Sequence, residues 1–384
     1  MATFVAVGDI GPLRDDAGVL FEPTREFIRS ADVAFGQLEK CLTTRGTQQL
    51  YLNKSLGRTD PRVAGVIADA GFNVLSFASN HTMAFSAEGL ADTLDNLHAA
   101  GVTVIGAGPD IRAARQPAVF EVGDARIGIL AYCSVVPRGF EAGTHRPGLA
   151  PVRVRTFYEQ RDWQPGTPPR IVTIPYPEDV DAMAADIQAL RPRVDALVVS
   201  HHWGVHVVPA VIADYQFDVG RACIDAGADL VVGHHPHILK GVEVYRGKPI
   251  LYSIGAYAQE HPYRDVAGTE LAELIKQYRL TIDPRWERFS FPVDSQKTVL
   301  VRCHFSASGL ERVALRPAWI NPQAQAELLS PLDTRYAEVV DYLRYLTNYY
   351  ALNARFEVEG EEVIVTAAPD KAGGEASALR SAVL

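Results

Sequence analysis

From residue 3 to about residue 257, short apolar runs alternate with segments whose apolar residues recur at three- and four-residue spacing. The runs TFVAVGD (3–9), VAFGQLE (33–39), NVLSFASN (73–80), VTVIGAG (102–108), RIGILAYC (126–133), DALVVSHHWG (195–204) and DLVVGHHPH (229–237) are dominated by Val, Ile and Ala and read as strands. The segments 60–72, 86–101, 180–193 and 214–228 carry one apolar stripe each and read as helices that lay that stripe on a sheet. Strands alternating with one-faced helices predict α/β layers.

Two hairpin patterns interrupt the alternation: 118–132, turning at Gly123-Asp124, and 241–255, turning at Arg246-Gly247. They predict antiparallel strands at sheet edges. Residues 137–177 are rich in Pro, Gly and Arg without a clear period, which predicts a rim loop or excursion. After residue 260 the style changes to a hairpin at 298–320, an aromatic-striped helix at 333–353 and a second hairpin at 355–367. The expected organisation is therefore a large α/β unit over 1–260, a small C-terminal α+β cap over 261–368, and a flexible tail over 369–384.

Composition narrows the class. The 384 residues are 47% hydrophobic and 22% charged, as expected for a globular protein with a large core, and no apolar stretch reaches the length that spans a bilayer. No membrane span is expected. A formal net charge of −9 without a Lys/Arg block disfavours a nucleic-acid partner. The start, MATFVAVGDIGP, does not read as a secretory signal, and Cys41, Cys133, Cys223 and Cys303 are far apart with no CxxC pair. Reduced thiols in a cytoplasmic protein are the expectation.

The candidate chemistry gathers at strand ends, where loops of an α/β sheet converge on ligands. Five strands end in metal-compatible side chains: Asp9, Glu39, Asn80 with His81, His201 with His202, and the trio His234, His235 and His237. Each group alone reads more readily as a cap, a solvated carboxylate or a core histidine. Only GHHPH is suggestive by itself, because Pro236 fixes the backbone between two imidazoles. Their shared position points to a site for two divalent ions, Zn, Mn or Fe, with a carboxylate able to bridge them.

The ordered motifs GD, LE, SNH, HWG and GHHPH, with ILYSIGAY behind them, resemble the CapA or PgsA type of capsule and poly-γ-glutamate biosynthesis proteins. These form a branch of the calcineurin-like metallophosphoesterase superfamily. The resemblance implies a four-layer α/β/β/α metallophosphoesterase-like sandwich. It implies Asp9 and His237 on one metal, Asn80, His202 and His235 on the other, and Glu39 bridging. His81 takes the place of the general acid, and His201 and His234 stay behind the ligands. The chain departs from the family pattern at Gln37, where Asn is usual, at His206, where Glu is frequent, and at Ala256, where Asn is usual.

Such a centre implies hydrolysis of an ester, amide or phosphoester in a small or polymeric anionic substrate. Lys40, Lys54, Arg58 and Arg138 are candidate anion contacts, and Gln37 falls on the presumed substrate side. Trp203, Tyr252, Tyr257, Tyr263 and His261 predict an aromatic rim. That rim leaves open a lyase acting on a small aromatic compound with His206 or His81 as base, and a non-catalytic polymer-binding role is a further alternative.

Overall fold

The computed structural model describes residues 1–49, 58–262 and 269–368. Two mixed sheets form the centre. In the first, Ala2–Gly11, Val33–Leu38, Val74–Ser76 and Thr103–Ile105 run parallel in that order, and Ala256–Gln259 also lies parallel to the first strand. In the second, the order is Val242–Tyr245, Lys248–Leu251, Leu230–His234, Ala196–His202, Ala125–Cys133 and Ala118–Val122. The two hairpins expected from the sequence supply both edges of this sheet. Parallel strands sit between them, buried on both faces and correspondingly rich in Val, Ile and Leu.

Helices Val63–Ala70 and Ser86–Ala99 bury Ile67, Leu90 and Leu97 on the first sheet's side of the molecule. Helices Pro177–Leu190 and Asp214–Ala226 bury Met183, Ile187, Val219 and Cys223 against the outer face of the second sheet. The architecture is the α/β/β/α sandwich. Side chains alternate across each strand, so Ala196 and Val198 join the core shared with the first sheet while Leu197 and Val199 join the outer core. Gly8 permits a close approach: a Cβ there would sit 2.1 Å from the Gly255 carbonyl oxygen, inside the space taken by the strand that pairs alongside.

The C-terminal segment expected as an α+β cap is continuous with the first sheet. Lys297–Ser306 pairs antiparallel with Ala2–Gly11, Gly309–Ile320 pairs with it in turn, and the hairpin Ala354–Glu359/Glu362–Ala367 continues the same sheet. The C-terminal strands thus widen the first sheet to ten strands, because Ala256–Gln259 covers only the Asp9–Gly11 end of the first strand's edge and Lys297–Ser306 fills the rest. Several elements fall outside the expected pattern, among them a ribbon and a short amphipathic helix. Val154–Glu159 and Arg170–Pro175 form a two-stranded ribbon inside the segment read as a loop, and Glu270–Gln277 is helical. The expected flexible tail lies outside the described residues. Among the described residues no helix is long and apolar enough to cross a membrane, and the four cysteines are buried free thiols.

Glu260 ties the widened sheet to the N-terminal loop. Fully buried, its carboxylate accepts from the backbone N–H groups of Leu13 at 2.7 Å and Arg14 at 2.9 Å, and pairs with the guanidinium groups of Arg14 at 2.9 Å and Arg288 at 3.1 Å. Removing one member of such a buried network strands the others. Glu260→Ala is expected to lower stability by about 3 kcal/mol, read as a reduced urea midpoint, whereas the exposed pair Arg62–Asp60 should matter far less when Asp60 is changed.

Candidate metal centre

The loops at one end of the two sheets bring the candidate residues together. Asp9 sits where the pairing of the first strand shifts register on both sides, next to Val33–Leu38 and next to Ala256–Gln259. Such irregularities re-aim a side chain at the end of a strand. Glu39 follows Val33–Leu38, and its N–H donates to the Ile10 carbonyl at 2.8 Å. His202 ends Ala196–His202, and His235 and His237 lie just beyond Leu230–His234. The last two take positive φ, +93° at His235 and +52° at His237, a left-handed backbone around Pro236 that non-glycine residues adopt at a cost of order 1–3 kcal/mol.

One ligand-type atom from each of Asp9, Glu39 and His202 falls within 4.8 Å of the others, and all three residues are fully buried. His237 Nδ1 lies 2.7 Å from Asp9 Oδ2, without the alignment of a hydrogen bond. His202 Nε2 lies 2.8 Å from Asn80 Oδ1 and 3.3 Å from Glu39 Oε1. The His202 and His235 rings meet edge to face at 4.8 Å. Glu39 therefore stands between an Asp9–His237 group and an Asn80–His202–His235 group. Ser79, the first residue of the SNH motif, orients it by donating to Oε1 at 3.0 Å.

Burial sets the electrostatics. It pushes the carboxyl pKa of Asp9 well up, and that of Glu39 up as well, with the neighbouring Asp9 adding to the rise. The imidazoles move oppositely. Burial pulls His235 and His237 down to about 3, and His202 well below its ordinary value, so all three are neutral at pH 7. Both Asp9 carboxylate oxygens, Glu39 Oε2 and the Nδ1 atoms of His202, His235 and His237 have no hydrogen-bond partner among the described residues. Buried acceptors without donors fit divalent cations, and a mixed carboxylate, amide and imidazole set suits Zn, Mn or Fe.

Strand alternation separates the neighbouring histidines. His201 points to the opposite face from His202, stacked on the Trp203 indole at 4.5 Å, and so does not touch the ligand-type atoms. His234 points into the inter-sheet core, its Nε2 at 3.1 Å from the Val7 carbonyl and its Nδ1 at 3.4 Å from Ser200 Oγ. His81 places Nε2 3.4 Å from Glu39 Oε2. His206 roofs the centre, with its ring 5.5 Å from His235 and 5.0 Å from His237. The His206 loop is pinned twice: Val207 N–H donates to the Pro236 carbonyl at 2.8 Å, and the buried ammonium of Lys240 donates to the Val208 carbonyl. Burial brings Lys240 down to about 7.

The expected rim is largely core. Trp203 and Tyr252 are enclosed behind the second sheet, where the indole N–H donates to the Tyr252 carbonyl at 2.9 Å, and Tyr257 is enclosed against Phe21 and Phe72 with its hydroxyl 2.5 Å from Thr24 Oγ1. Large rings at these positions fill the outer layers, so Trp203 and Tyr257 do not face the centre. Gln37 is likewise buried, donating to the Leu38 and Ala78 carbonyls at 3.2 and 3.3 Å. Arg58 braces a loop through the Thr44 and Gly46 carbonyls. Lys40 is buried, with its charge acting on both Glu39 and His237. Lys54 and Tyr263 lie outside the described residues. The aromatic residue that does reach the centre is Phe291, stacked on His237 at 4.8 Å and against His261 at 4.8 Å. It comes from a segment with no readable period.

Residues 4–260 match the family described as bacterial capsule synthesis protein PGA_cap. The chain belongs to this family. Among curated relatives, the PGA biosynthesis protein CapA of Bacillus subtilis is 28% identical over 63% of this chain and 57% of its own length. A probable polyglutamine synthesis accessory protein of Mycobacterium tuberculosis is 34% identical over 55% of this chain and 52% of its own. The capsule biosynthesis protein CapA of Bacillus anthracis is 26% identical over 62% of this chain and 53% of its own. The chain thus aligns with little more than half of each of these PGA_cap relatives. The matched region holds Asp9, Glu39, Asn80, His202, His235 and His237, and ends before Phe291.

Two substitutions separate ligand from bystander. His235→Ala is expected to remove most of the bound transition metal, whereas His201→Phe, which keeps the stack on Trp203, is expected to leave metal content unchanged and the melting temperature within a few degrees. Elemental analysis of the purified variants after metal loading checks both.

Proposed function

We propose that this PGA_cap protein is a metal-dependent hydrolase with a dinuclear centre, acting on an ester, amide or phosphoester of an anionic substrate. The reading rests on one observation: a buried carboxylate, Glu39, stands between two sets of ligand-type side chains, and both Asp9 oxygens, Glu39 Oε2 and the Nδ1 atoms of His202, His235 and His237 have no hydrogen-bond partner among the described residues. On this assignment Asp9 and His237 would hold one ion and Asn80, His202 and His235 the other, with the Glu39 carboxylate within reach of both. Bound there, a divalent pair supplies Lewis acidity and lowers the pKa of a coordinated water.

The remaining residues have separable tasks. His81, 18% exposed at its side chain, sits on the open side of Glu39 and is placed to give a proton to a leaving atom. His206 and Phe291 cover the His235–His237 side and exclude water from it. Lys40 lends positive charge to the Glu39–His237 region and favours an anionic group nearby. The relatives named for PGA biosynthesis and capsule biosynthesis bring a polymeric anion into the panel of candidates alongside small ones.

The test is metal-loaded protein assayed against phosphodiesters, γ-glutamyl peptides and aromatic esters and ethers. About two ions per chain and turnover of at least one hydrolysable compound are expected. In ¹⁸O water the label should enter product; unlabelled product would favour elimination. His81→Ala should cut kcat by about 10²- to 10⁴-fold at unchanged metal content. A fully loaded protein that turns over nothing in the panel would overturn the hydrolase reading.

A further inference from the structure

The ribbon Val154–Glu159/Arg170–Pro175 stands away from both main sheets, and Arg155, Thr156, Phe157, Tyr158 and Glu159 are exposed in succession. Phe157 is 46% exposed, Tyr158 71% and Ile174 48%. An isolated two-stranded ribbon is marginal in water, and an apolar strand with an open edge is a template for another strand.

Backbone geometry shows which groups that edge offers. The Thr173 N–H donates to Asp214 Oδ2 at 3.3 Å, so it points away from its partner strand. Thr173 stands opposite Thr156. In an antiparallel ladder a facing pair either exchanges both backbone bonds or neither, so the N–H and C=O of Thr156 also point outward, as do those of Val154 and Tyr158. Among the described residues no backbone–backbone bond leaves this edge.

We propose that two copies of the chain associate through this edge, pairing Val154–Glu159 antiparallel with itself about a twofold axis at Phe157. The register is self-complementary. Thr156 meets Tyr158 of the second copy, where both present outward backbone groups and form a hydrogen-bonded pair. Phe157 meets its own counterpart at a non-hydrogen-bonded position, where side chains approach most closely. Arg155 meets Glu159, twice by symmetry. Among the described residues of one chain these two charges make surface contacts: Arg155 lies 4.2 Å over the Tyr176 ring, and Glu159 lies 3.7 Å from an Arg170 that is itself 41% exposed. The result is a four-stranded sheet from two ribbons, with the open edges consumed.

The test is light scattering on the full-length metal-loaded chain during size exclusion at micromolar concentration, with twice the 41.9 kDa chain mass expected. Thr156→Pro removes an N–H that the ribbon itself does not use, and should give the single-chain mass with an unchanged far-UV circular dichroism spectrum. Arg155→Glu and Glu159→Arg should each weaken association by about tenfold, since each sets like charges opposite one another, and the double variant should regain it. A single-chain mass for the unmodified protein, a dimer that survives Thr156→Pro, or a double variant no tighter than either single one would overturn the proposal.

Discussion

Two carboxylates held dry between two sheets are the constraint on which the rest of the site depends. Asp9 and Glu39 are fully buried at adjoining strand ends, and a buried carboxylate costs several kcal/mol unless it is paired or neutralised. The imidazoles around them cannot supply that charge, because burial holds His235 and His237 down to about 3 and they stay neutral. Lys40 lowers the Glu39 pKa, but less than burial and Asp9 raise it. Protonation or bound cations must therefore complete the balance. The same burial makes the imidazoles good cation ligands, since only a neutral ring has a free lone pair.

The scaffold keeps this expensive arrangement in register. Glu39 is fixed by its own N–H to Ile10 and by the Ser79 hydroxyl, while Trp203 N–H bonds to the His234 carbonyl, joining the two histidine-bearing loops. Gly233 is required there: a Cβ would lie 2.3 Å from the Tyr252 carbonyl oxygen and 2.4 Å from the Trp203 indole nitrogen. The positive φ values at His235 and His237 are strain that this packing holds in place.

Much of this was legible in the sequence, for identifiable reasons. Strand ends coincide with metal-compatible residues, and parallel strands buried on both faces announce themselves as continuous apolar runs, so the layers and the convergence of Asp9, Glu39, Asn80, His202, His235 and His237 could be read. The same continuous burial hid the rest. In DALVVSHHWG both faces are apolar, so periodicity does not say which histidine faces inward; pairing in three dimensions turns His202 in and His201 out. It also sends Trp203 outward, which is why an aromatic expected at the rim is core. The C-terminal strands looked like a separate unit because sequence distance does not reveal that Lys297–Ser306 completes the edge of Ala2–Gly11.

Phe291 shows why the least readable segment matters to the site. Within residues 261–296 only Leu271, Leu274 and Ile275 recur at helical spacing, so no sheet or helix pattern flags the stretch that returns Phe289, Ser290 and Phe291 to the histidine-bearing loops. The segment is anchored at its start, where His261 and Ser290 exchange backbone and side-chain bonds, and where Arg288 reaches the buried Glu260. Both anchors lie between the strand carrying Gln259 and the strand beginning at Lys297. The wall over His237 is therefore held by the same junction that joins the C-terminal strands to the first sheet. The PGA_cap match ends at residue 260, so the ligand-bearing frame lies inside the family region and this covering wall outside it. Differences in what such a centre accepts are physically easiest to build in that outer segment, where a ring can be exchanged without disturbing a buried carboxylate.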